Sequence, residues 1–196
     1  MIFYIKKTKV VVNFIFLAIV AFILLCDKTH FASYSFYAVI IHEIGHFFAM
    51  WILNQKPNKI SFSFNGIGIS HNFYNLNYKK EAIILFFGPL FNLIIFLISS
   101  FFIDNTNVLQ KIMLPNFIIG FFNLMPMSIT DGGRILKIIL KMKIKNLKKA
   151  ENMFFLISVL FLTLFIIYGI YILVISKYNF SMLVTVLYLT AMLFKQ

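Results

Sequence analysis

Cysteine is all but missing from this 196-residue chain. The single Cys26 excludes an intramolecular disulfide and any cysteine-based metal cluster. Acidic side chains are also scarce, six in all: Asp27, Glu43, Glu81, Asp104, Asp131 and Glu151. With 12% charged and 61% hydrophobic residues, no polar block is large enough for a separate soluble domain. The composition describes a chain embedded in lipid as one unit, spanning residues 1–196. Arginine is nearly absent too: seventeen of the eighteen basic residues are lysine, and Arg134 is the exception. The abundance of Phe, Ile, Asn and Lys fits an AT-rich bacterial genome. Cys26 follows Leu24-Leu25, where a lipobox wants small residues, and no small-residue cleavage site follows the first apolar run.

The net charge of +12 does not point to nucleic acid, because the lysines lie between apolar runs, as orientation signals do. Six such runs are expected: Val10 to Cys26, Phe31 to Leu53, Ala82 to Ile103, Ile112 to Met127, Met153 to Ile175 and Phe180 to Phe194. The first, fourth and sixth are close to the shortest length that spans a bilayer. If they alternate from a cytoplasmic N-terminus, fifteen basic residues fall inside. Only Lys28, Lys111 and Lys177 fall outside. Both termini are then cytoplasmic in a multi-pass cell-membrane protein. Between the second and third runs, Ile60, Phe62 and Phe64 alternate with Ser61, Ser63 and Asn65, and Asn65-Gly66 is a tight-turn signal. The expected fold class is therefore an all-α polytopic membrane protein of about six spans with one small membrane-associated β-hairpin. The basic stretch Lys137 to Lys149, with apolar residues interspersed, reads equally as an amphipathic surface helix or a solvated loop.

Against this background the polar residues of the second run stand out. His42-Glu43-Ile44-Gly45-His46 lies inside it, and ionisable residues in a span mark function. Positions i and i+4 share a helix face, so His42 and His46 can ligate one zinc ion. Glu43 is then the catalytic base that takes a proton from water. Gly45 permits close approach of another backbone. A catalytic zinc needs a third protein ligand. By the charge rule Asp27 and Asp104 fall on the far side. Glu81 and Glu151 read as acids at helix starts. Asp131 remains. Taken alone it reads as a cap or turn residue before Gly132-Gly133, and beside the histidine pair it reads as the ligand. His30 and His71 read as boundary and hairpin residues.

HExGH in one span, followed by Asn123, Pro126, Asp131 and Gly132 in the pattern Asn-x-x-Pro-x-x-x-x-Asp-Gly, resembles the site-2 protease family of intramembrane zinc metalloproteases. Gly88-Pro89-Leu90-Phe91-Asn92 is similar to its Gly-Pro-x-x-Asn segment, and Gly66-Ile67-Gly68 to the Gly-x-Gly of its re-entrant hairpin. The likeness covers about residues 31–140, the expected catalytic core, and the layout is similar to the compact sporulation type without its CBS tail. No PDZ or CBS domain is expected.

The resemblance implies one Zn2+ and a membrane-tethered protein or peptide as substrate. It implies that Asn123 binds substrate, with Gly66 and Gly68 on the strand that receives it, and a regulatory membrane partner fits a chain this small. Pro126 would break the helix and free carbonyls, letting Asp131 reach back. Gly88, Pro89 and Asn92 read as structural residues beside the site. Two other readings use the same histidines. One is a zinc peptidase with a cytosolic-face site and a Glu as third ligand, for which Glu151 is the candidate. The other is a metal transporter or scaffold without catalysis.

Overall fold

The computed structural model describes all residues except 6–7, 56, 58, 64–65, 71–76, 103–106 and 195–196. His71, Asp104 and the turn residue Asn65 therefore lie outside the described residues. Two compact units divide between Phe121 and Phe122.

The first unit opens with strands, not with a span. β1 (Ile2–Ile5) and β2 (Thr8–Val12) pair antiparallel, and β2 then pairs parallel with β3 (Lys59–Ser63). β3 pairs antiparallel with β4 (Gly66–Ser70), which completes a four-stranded sheet in the order β1-β2-β3-β4. The expected hairpin is present as β3 and β4, with Ile60 opposite Ile69 and Phe62 opposite Ile67. The N-terminal strands correct the expected first apolar run. Val10, Val11 and Val12 are β-branched and belong to β2, where both edges find ladder partners. Asn13 then caps α1 (Phe14–Cys26), its side chain accepting from the Ile15 amide at 3.0 Å. The parallel β2–β3 pair needs a crossover. α1 and α2 (Phe31–Ile52) supply it.

α3 (Tyr78–Phe101) starts at the Asn77 cap with Glu81 in its first turn, and it runs without interruption through Pro89. It packs on α2 around Ala49, Met50 and Ile84, with Phe47, Leu53 and Phe87 at the margin. α4 (Asn107–Asn123) contains Pro115 and buries Asn116.

In the second unit, α5 (Asp131–Lys143), α6 (Leu147–Ser176) and α7 (Ser181–Phe194) follow a turn over 124–130. Two apolar clusters hold it together. Met127 joins Leu162, Val186, Leu189 and Leu193, while Leu140 joins Ala150 and Phe154 with Leu136 and Ile144 beside them. The basic stretch is thus helical as far as Lys143, its Leu136–Leu140–Ile144 face turned to α6. Asn146 caps the next helix.

Among the described residues, three helices, α2, α3 and α6, are by length and composition long and apolar enough to cross a membrane, so three of the six expected spans are matched. α1, α4 and α7 have 13, 17 and 14 residues. At about 1.5 Å per residue they reach about 20–25 Å, against a hydrocarbon core of about 30 Å. The long helices keep apolar side chains on their outer faces. Leu156, Leu160, Leu164, Ile167 and Tyr171 of α6 are all more than half exposed, a pattern that suits lipid and not water.

Candidate metal centre

The middle of α2 is built to hold two imidazoles in fixed orientation. His42 and His46 are both buried, one turn apart, with ring planes at 86° and centroids 4.7 Å apart. His46 Nδ1–H donates to the Ile84 carbonyl at 2.8 Å. That oxygen can only accept, so the ring proton is on Nδ1 and Nε2 carries the lone pair. His42 Nδ1 lies 2.9 Å from Asn92 Oδ1. The Asn92 amide is oriented by its other side, where Nδ2 donates to the Ala38 carbonyl at 2.8 Å and to Asn116 Oδ1 at 2.9 Å. Its oxygen therefore faces His42, and His42 too has its proton on Nδ1.

The two Nε2 atoms are 3.1 Å apart. When both rings are neutral with the proton on Nδ1, both Nε2 atoms are acceptors. Their contact then brings together two lone pairs, an arrangement that a shared cation stabilises. Fixing the remote nitrogen to a carbonyl or amide oxygen is also how proteins orient metal-ligating histidines.

Room for the rings comes from a missing side chain. A Cβ on Gly88 of α3 would lie 2.4 Å from His46 Nε2 and 2.9 Å from His42 Cε1. A Cβ on Gly45 would lie 2.3 Å from the Phe87 carbonyl oxygen, so here the backbones of α2 and α3 are in contact. The donor atoms, their tautomers and this cradle fit a zinc ion, which binds imidazole nitrogen readily. Glu43, half-buried, is the next residue on the helix and is turned about 100° from His42.

In the second unit Asp131 follows the turn after α4. It is the first residue of α5. Pro126 disfavours helix at Met125 and removes one amide donor, so α4 closes at Asn123 and the chain turns. Thr130 organises the turn. Its hydroxyl accepts from the Gly133 amide at 3.3 Å, and it lies within hydrogen-bond reach of the Met125 and Met127 carbonyls. Ser158 of α6 donates to the Pro126 carbonyl at 3.0 Å. Gly132 and Gly133 let α5 start directly against this turn: a Cβ on either would meet the Leu124 or Met127 carbonyl oxygen at 2.1 or 1.7 Å. The result is a carboxylate at a helix N-terminus on a braced turn, with half-buried Asn123 at the end of α4. Glu151, by contrast, is exposed on α6 in an ion pair with Lys141 at 3.4 Å.

Residues 99–167 match the family model described as Peptidase family M50. That stretch contains Asn123, Pro126, Asp131 and Gly132 and excludes the two histidines. Across 96% of this chain and 91% of the other, the fold is similar to that of the site-2 protease from Methanocaldococcus jannaschii, with a TM-score of 0.62 and 23% identity. This chain has the site-2 protease fold, and its match to the family M50 model is confined to residues 99–167. Over 124 residues, 59% of its length, it is also 33% identical to a zinc metalloprotease of the same organism. It spans only 36% of that relative's length.

Within the site-2 protease fold, sequence reasoning underrated two positions. Asn92 was legible only as a structural residue, although it contacts a candidate ligand directly. Asn116 was not singled out, though an amide beside Pro115 in an apolar helix must find partners and is a signal of its own.

Proposed function

We propose that the chain is an intramembrane zinc metalloprotease that hydrolyses a peptide bond in or near a transmembrane segment of a membrane-tethered substrate. The proposed ligands are the Nε2 atoms of His42 and His46 and the carboxylate of Asp131, a donor set that leaves one position open. The observation that carries the reading is the histidine tautomer: both Nδ1 protons are committed to oxygen acceptors, which leaves both Nε2 lone pairs on one helix face. The family M50 match over the Asp131 segment supports it independently.

Zinc bound there supplies Lewis acidity for a substrate carbonyl and for water. Glu43 takes the proton of the attacking water at its carboxylate and passes it to the leaving amine. Asn123 binds the substrate backbone through its amide. A helical substrate hides its carbonyls in its own hydrogen bonds and must unwind before attack. β4 is an end strand of the sheet, and among the described residues no strand pairs its outer side. An unwound segment adds there as a further strand beside Gly66 and Gly68. The site faces the cytoplasmic side, and a separate membrane protein regulates access.

The test is Glu43→Gln in protein reconstituted with a membrane-bound precursor. Zinc content stays at the wild-type level while cleavage falls by about 10²–10⁴-fold, the usual worth of a positioned base. Unchanged cleavage removes Glu43 from the mechanism.

A further inference from the structure

Three hydrogen bonds lead from α4 to His42. Asn116 Nδ2 donates to the Ile112 carbonyl at 2.8 Å, one turn back on its own helix. A backbone carbonyl cannot donate, so this contact fixes which end of the Asn116 amide is nitrogen. Its oxygen therefore points the other way and accepts from Asn92 Nδ2 at 2.9 Å. Asn92 Nδ2 spends its second proton on the Ala38 carbonyl at 2.8 Å, and Asn92 Oδ1 is left to accept from His42 Nδ1 at 2.9 Å. Asn92 and Asn116 are almost wholly buried, 0% and 1% exposed, so water does not compete for these groups.

The direction of every bond follows from two main-chain oxygens. Reversing the Asn92 amide would set its oxygen against two acceptors at under 3 Å and its NH2 group against the His42 proton. With Asn116 gone, only Ala38 would oppose that reversal.

We infer that Asn116 is a positioning residue that fixes the tautomer of His42 through Asn92. It keeps the imidazole proton on Nδ1 and the Nε2 lone pair available to a metal. Its importance for metal binding rests on the function proposed above, whereas its control of the tautomer does not. Loss of Asn116 admits the reversed amide, which donates to His42 Nδ1 and moves the ring proton to Nε2. In that form Nε2 cannot ligate.

Two substitutions separate this role from simple packing. Asn116→Leu keeps the volume and removes both polar atoms. Asn116→Asp keeps the shape. As a neutral carboxyl group in this buried setting, it donates to Ile112 and accepts from Asn92, restoring both bonds. The experiment uses ¹⁵N-histidine-labelled full chain in lipid bilayers, stripped of metal, with the His42 signals assigned from a His42→Ala sample. Nitrogen shifts distinguish the two tautomers directly, and zinc affinity is measured on the same samples by chelator competition.

Wild type and Asn116→Asp show the Nδ1–H form of His42. Asn116→Leu shows the Nε2–H form as well, and its zinc affinity falls by about ten- to hundredfold, as for other lost supports of a metal ligand. The inference is overturned if Asn116→Leu retains the Nδ1–H form alone, even if its zinc affinity or melting temperature falls. It is equally overturned if Asn116→Asp behaves as Asn116→Leu. A tautomer change in a protein that binds no zinc supports the inference and refutes the metalloprotease reading.

Discussion

Gly88→Ala adds one methyl group, and its consequence can be worked from contacts. The new carbon would lie 2.4 Å from His46 Nε2, 2.5 Å from His46 Cε1 and 2.9 Å from His42 Cε1. Ordinary contact is about 3.5–4.0 Å, so the imidazoles must retreat by about 1 Å. Neither ring has slack, because each Nδ1 is tied to an oxygen within 2.9 Å. The helices cannot separate cheaply, since the backbones of α2 and α3 touch at Gly45. The strain therefore falls on the pair of Nε2 atoms. Overpacking of this kind costs about 1–3 kcal/mol, and alanine returns up to about 1 kcal/mol in helix propensity. Stability of the metal-free protein thus falls by at most about 3 kcal/mol. Zinc affinity falls by at least ten- to hundredfold, equivalent to about 1.4–2.8 kcal/mol of binding. Isothermal titration with chelator-buffered zinc measures the second quantity, and thermal melting of metal-free protein the first. Gly169→Ala on α6 is the control. Its Cβ meets the movable Leu183 side chain at 3.1 Å, and zinc affinity stays at wild type. If Gly88→Ala binds zinc as tightly as wild type, the rings are not confined as described.

Other outcomes follow from the same contacts. Glu151→Gln leaves zinc content unchanged, because that carboxylate is engaged with Lys141 on the protein surface; a loss of zinc would favour the cytosolic-face site with a Glu ligand. Thr130→Ala removes the α5 cap and costs about 1 kcal/mol in melting experiments, while Gly133→Ala, whose Cβ would overlap the Met127 carbonyl, prevents the turn from forming and lowers the yield of folded protein. Asp27 lies between α1 and α2. Desolvation pulls its carboxyl upward, but hydrogen bonds from the Ser33 and Thr29 amides and hydroxyls outweigh this and hold it below the usual carboxylate range. The folded value is thus the lower one, so its contribution is complete above about pH 4, the unfolded value, and is lost as pH falls from there through the folded value. Melting temperature between pH 5 and 3 falls more steeply for wild type than for Asp27→Asn.

How much of this is visible in a bare sequence depends on the range of the interaction. The shared face of His42 and His46 is local, fixed by four helical positions, and could be read directly. The hairpin was legible from the alternation at Ile60 and Phe62. The N-terminal strands were not, because only Asn13 separates Val10–Val12 from the apolar residues of α1, and their ladder partners are Ile2, Phe3 and residues 60–62. Leu124, Met125 and Met127 carry the apolar run past Pro126, which hid the end of α4 at Asn123. Least legible were Asn92 and Asn116, whose partners lie 50 and 24 residues away and are chosen only by packing.

The central claim is that two α2 imidazoles and the carboxylate that opens α5 share one zinc ion. Its most direct test is zinc per chain in detergent-purified wild type and Asp131→Ala, both equilibrated against the same nanomolar free zinc. The account predicts one zinc per wild-type chain and a small fraction of that in the variant. A full equivalent in Asp131→Ala contradicts it.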